Sequence, residues 1–193
     1  MSAERVDAVV IGAGLAGSAA AWALARRGRS VTVLEAFEPG HRRGSSHGSA
    51  RIFRWAYRDP LYVRLASQAR QLWSQLAAET GRDPVVTTGA VDYGPALPGQ
   101  MYGNLTAAGV PAELLTAAAA AERWPGMSFG AGPVLFHRDG GVLDPELAMS
   151  AMHDSATAPA GRRSGTDHRP CGSSRGSGTR WCTRPAGPGA PRR

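Results

Sequence analysis

Three glycines in the spacing G-x-G-x-x-G, Gly12, Gly14 and Gly17, stand between an apolar run, Ala8 to Ile11, and an alanine- and leucine-rich stretch, Leu15 to Arg27. No other feature limits the fold of this chain as tightly. Four consecutive apolar residues suit a parallel strand covered on both faces. The residues after the glycines are strong helix formers, and Gly28 stands just past their basic end, where a left-handed residue closes a helix. A second apolar run, Val31 to Leu34, ends in Glu35, 18 residues beyond Gly17. That is close to the ~20 of a dinucleotide-binding βαβ unit.

Each residue type has a physical task in such a unit. Gly12 permits the tight turn out of the strand, Gly14 lets backbone approach a pyrophosphate, and Gly17 lets the helix lie close on the strand. The helix N-terminus presents unpaired N–H groups and a partial positive charge to phosphate. Glu35 can accept hydrogen bonds from the two hydroxyls of an adenosine ribose and would repel a 2′-phosphate, which favours FAD or NAD over NADP. The bland alternative is a βαβ unit with an incidental glycine turn. Strand, glycines, helix, second strand and acid fall in register, so the dinucleotide reading is preferred.

Charge is distributed unevenly. The chain has 193 residues, a net charge of +7 and no lysine; all 22 basic residues are arginine. Residues 1–150 hold 14 arginines against 13 acids, whereas residues 151–193 hold 8 against 2. The basic character therefore belongs to the C-terminal segment. Glu4 and Asp7 spoil a cationic leader, and no apolar run approaches the ~20 residues that span a bilayer. The expected location is cytoplasmic, with no membrane partner. Cys171 and Cys182 match no metal spacing, even with His168 nearby, and no metal site is expected.

Residues 37–59, FEPGHRRGSSHGSARIFRWAYRD, have turn residues, little periodicity and five arginines: Arg42, Arg43, Arg51, Arg54 and Arg58. A long irregular segment after a strand is usually functional or disordered, and this one is too aromatic for disorder. Two readings stand. One is a solvated basic loop with a few core aromatics; the other is an anion-binding wall, since arginine presents a planar fork to carboxylate or phosphate. His47 taken alone reads as a loop histidine satisfied by backbone.

The run Gly44-Ser45-Ser46-His47-Gly48-Ser49-Ala50-Arg51-Ile52-Phe53-Arg54-Trp55-Ala56-Tyr57, following the first motif, resembles the second cofactor-contacting segment of the D-amino-acid-oxidase-like flavoproteins. The branch it resembles is that of monomeric sarcosine oxidase and N-methyltryptophan oxidase. Arg123-Trp124-Pro125-Gly126 and Gly141-Val142-Leu143 are similar to that branch too. The resemblance covers roughly residues 5–153. It implies FAD as cofactor, a small amino acid with a carboxylate as substrate and molecular oxygen as second substrate. It further implies oxidation of a secondary or N-methyl amine to an imine, with release of hydrogen peroxide. By position, His47 and Arg51 would lie against the flavin ring and Arg54 would take the substrate carboxylate; these three are the catalytic candidates. Cofactor contacts are expected from Gly12, Ala13, Gly14, Ala16, Gly17, Glu35, Ala36, Arg43, Ser45, Ser46, His47 and Arg51. The fold class is then α/β: a Rossmann-like FAD-binding βαβ domain, truncated, with the start of a substrate domain.

The remainder reads as scaffold. Asp59-Pro60 starts a helix that runs to about Thr80 and stops at Gly81. Leu65, Ala69, Leu72 and Leu76 recur at helical spacing and predict its core-facing side. One strand is predicted from Val85 to Tyr93, a helix from Gln100 to Ala108, a short strand from Val110 to Leu115, and an alanine-rich helix capped by Thr116. Pro133 to His137 reads as a strand, Arg138 to Gly141 as a turn, and Asp144-Pro145-Glu146 as the start of a further helix. His137 and Trp124 are assigned to packing.

The composition changes near residue 150. From Asp154 onward there is no Val, Ile, Leu, Phe or Tyr, and residues 151–193 hold 7 Gly and 5 Pro. Such a segment buries too little apolar surface to offset ordering entropy, so 151–193 is expected to be a disordered basic tail beside a partial oxidoreductase domain at 1–150. Two origins compete: a genuine Arg/Gly/Ser tail that binds nucleic acid or another anion by charge, or out-of-frame translation of a GC-rich gene. The abrupt loss of apolar periodicity favours the second, so the chain is expected to be an inactive piece of a longer enzyme. Three functions remain, in order: a flavin amine oxidase or a piece of one, an NAD-dependent dehydrogenase fragment, and a nucleic-acid-binding protein acting through the tail.

Overall fold

The computed structural model describes residues 5–94, 97–158 and 180–183. In chain order the elements begin with β1 (Ala8–Ile11), α1 (Leu15–Arg26), β2 (Val31–Glu35), β3 (Arg51–Phe53) and α2 (Pro60–Thr80). There follow β4 (Val85–Thr87), β5 (Ala90–Tyr93), α3 (Leu97–Ala107), β6 (Glu113–Leu115) and α4 (Ala117–Arg123). The last are β7 (Val134–His137), β8 (Gly141–Leu143), α5 (Pro145–Thr157) and β9 (Arg180–Thr183). The chain divides into two compact units: Met1–Ser49 with Gln75–Pro84 and Asp144–Arg193, and Ala50–Ser74 with Val85–Leu143.

The first unit is built on the βαβ element. β1 and β2 pair in parallel, Ala8 opposite Val31 through Ile11 opposite Leu34. α1 crosses between them, and Val31, Val33 and Ala21 form the buried centre, joined by Val10, Ala13 and Leu24. α5 packs on α1. A polar cluster ties these helices to the end of α2. Trp22 Nε1–H donates to Glu79 Oε2 at 3.2 Å and Ser155 Oγ at 3.1 Å, and Arg26 Nε meets Glu79 Oε1 at 3.0 Å. The burial of β1 differs from the sequence expectation. Val9 is 54% and Ile11 87% exposed, so the strand is covered on one face only among the described residues.

The expected disorder after residue 150 meets two exceptions. α5 runs through Thr157 and buries Ala151, Met152 and Ala156. These continue the stripe begun by Ala148, a local period that composition averaged over the whole segment hides. Arg180–Thr183 pairs in parallel on β2, Thr32 opposite Arg180, giving the order β1-β2-β9. An unpaired strand edge accepts extended backbone whatever its side chains. The rest of the predicted tail, with Cys171 and His168, lies outside the described residues. Among the described residues no helix is long and apolar enough to cross a membrane.

The second unit holds two antiparallel sheets, β3-β8-β4 and β5-β7-β6. Its centres are Ala56, Met101 and Leu135 in one cluster and Ala120, Phe129 and Val134 in another. The single strand predicted over Val85 to Tyr93 is two strands in different sheets. Gly89 has φ +76, and the N–H groups of Thr88 and Gly89 both donate to Gly140 O, at 3.1 and 2.9 Å. A residue in that left-handed conformation cannot continue a strand, and glycine takes it at least cost.

Helix starts follow the predicted capping. Asp144 Oδ1 accepts from the N–H groups of Glu146 and Leu147 at 3.0 and 2.9 Å, and Thr116 Oγ1 from that of Ala119 at 3.2 Å. α3 begins at Leu97, three residues before the predicted start. The predicted core stripe of α2 holds only at Leu76, which is fully buried. Leu65 and Leu72 are 47% and 46% exposed; the buried positions are Val63, Ala66 and Leu76, on a neighbouring side of the same helix.

Candidate functional site

The glycine loop of the first unit is shaped by close approach. A Cβ at position 17 would lie 1.9 Å from Gly12 O, so only glycine fits where α1 rides on the loop. Gly12 has φ +94, and its N–H donates to Leu34 O at 2.7 Å, fixing the turn to β2. A Cβ at position 14 would lie 2.8 Å from Ser46 Oγ. That hydroxyl accepts the N–H of Leu15 at 3.0 Å, satisfying one of the amides that open α1. The first bond within the helix is Ser18 N–H to Gly14 O at 2.8 Å. By helix geometry the N–H groups of Ala16 and Gly17 therefore have no partner inside α1 and point out of its positive end.

Glu35 closes the loop from β2. Its Oε2 accepts the Ala13 N–H at 2.7 Å, and its Oε1 accepts those of Ala36 at 2.7 Å and Phe37 at 3.1 Å. His41 Nε2 stands 3.6 Å from Oε1. Burial pushes the carboxyl toward a higher pKa, but the three backbone donors and His41 outweigh it and hold the group below its ordinary value. Ala13 is thus a tie between the glycine loop and the acid, with its N–H turned to Glu35. Its carbonyl accepts from the hydroxyl of Ser18, which is 1% exposed. The sequence reading missed Ser18 and His41. Ser18 could have been found as the one polar residue on the covered side of α1; nothing in the spacing announces His41.

Residues 37–49 fold back as an irregular segment. The Arg43 guanidinium lies 4.9 Å above the Phe37 ring, and the Arg43 N–H donates to His41 Nδ1 at 3.1 Å. Ser45 and His47 are exposed, and His47 Nδ1–H donates to Gly44 O at 2.8 Å. So Ser46 reaches the glycine loop, while Arg43 and His47 make local contacts.

The other two catalytic candidates belong to the second unit. Arg51 opens β3, opposite Leu143, and its Nη1–H donates to Ala50 O at 2.7 Å. Arg54 lies just past β3. Its Nη1–H donates to Asp92 Oδ1 at 3.0 Å, and its guanidinium stands 5.2 Å from the centre of the Tyr57 ring. Behind Asp92 is His137, fully buried, with Nε2 3.5 Å from Asp92 Oδ2. A groove of about 240 Å³ beside Arg54 is lined by Tyr57, Tyr62, Ile52, Leu65 and Ala66. Asp92 was not singled out in the sequence and His137 was assigned to packing; their meeting depends on the register of β5 against β7. Among the described residues no group of three or more His, Cys, Asp or Glu could hold a metal ion.

In chemical terms the first unit offers amide donors to an anion and an ionised acid to hydroxyls. The second offers one arginine beside an apolar groove. Comparison with known proteins identifies the family. The DAO family, described as FAD dependent oxidoreductase, matches residues 7–162. Monomeric sarcosine oxidase of Streptomyces avermitilis is 37% identical over 156 residues, 78% of this chain and 41% of that protein. Peroxisomal sarcosine oxidase of Mus musculus is 36% identical over 151 residues, 76% of this chain and 38% of that protein. The chain thus spans about two fifths of the length of these curated relatives. Among solved structures, L-proline dehydrogenase from P. horikoshii aligns with a TM-score of 0.67 and 27% identity, over 80% of this chain and 42% of that one. A match across residues 7–162, with the glycine loop, Glu35 and the arginine-bearing segment inside it, places this chain in the DAO family of FAD-dependent oxidoreductases.

Proposed function

We propose that this chain binds FAD through its first unit and supplies the carboxylate-binding arginine of an enzyme that oxidises a small secondary or N-methyl amino acid. The observation that carries the first half is the Glu35–Ala13 tie at 2.7 Å. It holds a ribose-binding acid against a loop whose following amides face outward. The residues present fit the group. The 1.9 Å approach of a Cβ at position 17 to Gly12 O fits the third glycine of a dinucleotide-binding motif, which lets the helix lie close on the strand and so brings its N-terminus to the loop. Ala16 and Gly17 N–H would donate to the phosphates and Glu35 would accept from the ribose hydroxyls. Glu35 Oε2, engaged among the described residues by the Ala13 N–H alone, keeps a lone pair for a ribose hydroxyl.

FAD, when bound, would supply the electron acceptor for oxidation of the amine to an imine and the route of those electrons to oxygen, with peroxide as product. Arg54 would bind the substrate carboxylate and orient the carbon beside the nitrogen, while Tyr57, Tyr62 and Leu65 would supply an apolar wall beside it. His47 and Arg51 are proposed flavin-ring contacts on the strength of the family pattern in residues 44–57.

The test is reconstitution. The purified chain, incubated with FAD and then desalted, is expected to retain flavin and quench its fluorescence, and NAD is expected not to compete. Glu35→Ala should lose at least tenfold in FAD affinity. Retention of NAD in place of FAD would overturn the reading in favour of a dehydrogenase. Peroxide release from sarcosine tests the activity separately from cofactor binding.

A further inference from the structure

We propose that Asp92 is a positioning residue for Arg54, and that His137 braces Asp92 from its other side. This deepens the reading of Arg54 as the carboxylate-binding group. The argument begins with register. β5 and β7 run antiparallel with Ala90 opposite His137 and Asp92 opposite Leu135. Asp92 and His137 are therefore diagonal neighbours on one face of the sheet. The Asp92 carboxylate reaches Arg54 with Oδ1, at 3.0 Å, and faces His137 Nε2 with Oδ2, at 3.5 Å.

Burial shows why this arrangement is more than an incidental surface pair. His137 is 0% exposed and the Asp92 side chain 16%. Neither Asp92 Oδ2 nor either ring nitrogen of His137 has a hydrogen-bond partner among the described residues. Polar atoms withdrawn from water in this way are costly, and Asp92 Oδ2 and His137 Nε2, 3.5 Å apart, face each other. The imidazole lies close against Gly140, where a Cβ would come within 2.7 Å of its Cε1 and 2.9 Å of its Nδ1, and the Trp55 ring meets it edge-on with centroids 6.2 Å apart.

Among the described residues Arg54 is gripped at one end: Nη1 is held by Asp92 and the guanidinium plane is restrained by Tyr57, which would leave the rest of the planar fork to a ligand with its rotamers already restricted. An arginine left to itself loses much side-chain entropy when it binds; here the protein has met that cost in advance. Asp92 also offsets the charge of Arg54, so a carboxylate is selected by the orientation of the fork rather than by net positive potential.

The experiment uses the full 193-residue chain labelled with ¹⁵N. The Arg54 Nε–Hε resonance is identified as the one missing in Arg54→Gln, and its heteronuclear NOE is measured. In the wild type that NOE should approach the backbone value. Asp92→Asn should lower it to the value of a solvent-exposed arginine, Asp92→Glu should restore part of it, and His137→Gln should give an intermediate value. An unchanged Arg54 NOE in Asp92→Asn, with native amide dispersion, overturns the proposal. Should Asp92→Asn lose that dispersion, Asp92→Ser is judged by the same criterion. Titration with propionate keeps the two readings apart. If Arg54→Gln binds propionate as tightly as wild type, the carboxylate role of Arg54 fails, while the NOE series still decides whether Asp92 positions it.

Discussion

The glycine loop and the Arg54 site are assembled on opposite principles. In the loop nearly every tie uses backbone: Gly12 N–H to Leu34 O, Ala13 N–H to Glu35, Ser18 N–H to Gly14 O. The elements involved are adjacent in sequence, and the spacing of glycines and acid is the spacing of the contacts. At Arg54 the ties run from side chain to side chain, from residue 54 to residue 92 and on to residue 137. The lesson is that a site made of backbone and short connections is written into local sequence, whereas one made of side chains on paired strands exists only once the register is known.

The comparison breaks most sharply at Gly17. Any side chain there must displace Gly12 O from 1.9 Å, and no rotamer escapes, because the clash is at Cβ. Gly17→Val is expected to destabilise the first unit by about 3 kcal/mol or more and to abolish FAD retention, as read by denaturant midpoint and flavin fluorescence. A variant that kept both would show that the loop is less constrained by backbone than its geometry states.

Glu35→Gln comes next. The amide still accepts from one or two backbone donors but loses the ionic strength of three, a cost of about 1.5–3 kcal/mol for bonds to a charged group. The sign with pH follows. Because its folded pKa is lowered from 4.5, the carboxyl contributes stability that is fully present above 4.5 and is lost as pH falls through the folded value. Urea midpoints of wild type should therefore drop toward those of Glu35→Gln as pH goes below 4.5. Curves that stay parallel down to pH 3 would remove Glu35 from the stabilising ties. Ser46→Ala is milder. It deprives the Leu15 N–H of its acceptor, a capping loss of about 1 kcal/mol, and should lower thermal stability while leaving the Arg54 groove unchanged.

What was legible divides along the same line. The βαβ unit, the caps at Thr116 and Asp144 and the position of Glu35 follow from residue types that act within a few positions of themselves. The break at Gly89 was missed because a lone glycine between two β-favouring runs reads equally as a weak spot in one strand. Arg54 was picked out by the family pattern of residues 44–57. Its partner Asp92 was not, since an aspartate in a strand with alternating residues reads as solvent-facing. His137 was read as packing, and its complete burial agrees; the neighbour it packs against adds a second role.

The smallest expected effect concerns α2, where the period was read rightly and the side wrongly. Leu65, Ala69, Leu72 and Leu76 fit a helical stripe, but so do Val63, Ala66 and Leu76, and a 3.6-residue period cannot choose between two apolar stripes that share a residue. Packing chooses: Val63 and Leu76 are 0% exposed, while Leu65 is 47% exposed. Leu65→Ala should therefore change stability by no more than about 0.5 kcal/mol, the range of surface substitutions. A clear loss in urea midpoint would show that the side of α2 bearing Leu65 is covered in solution, and the stripe drawn from sequence would then be the right one. Because Leu65 lines the groove beside Arg54, the same variant also reports on that site. If the residue serves the ligand rather than the fold, propionate binding should weaken while the midpoint holds.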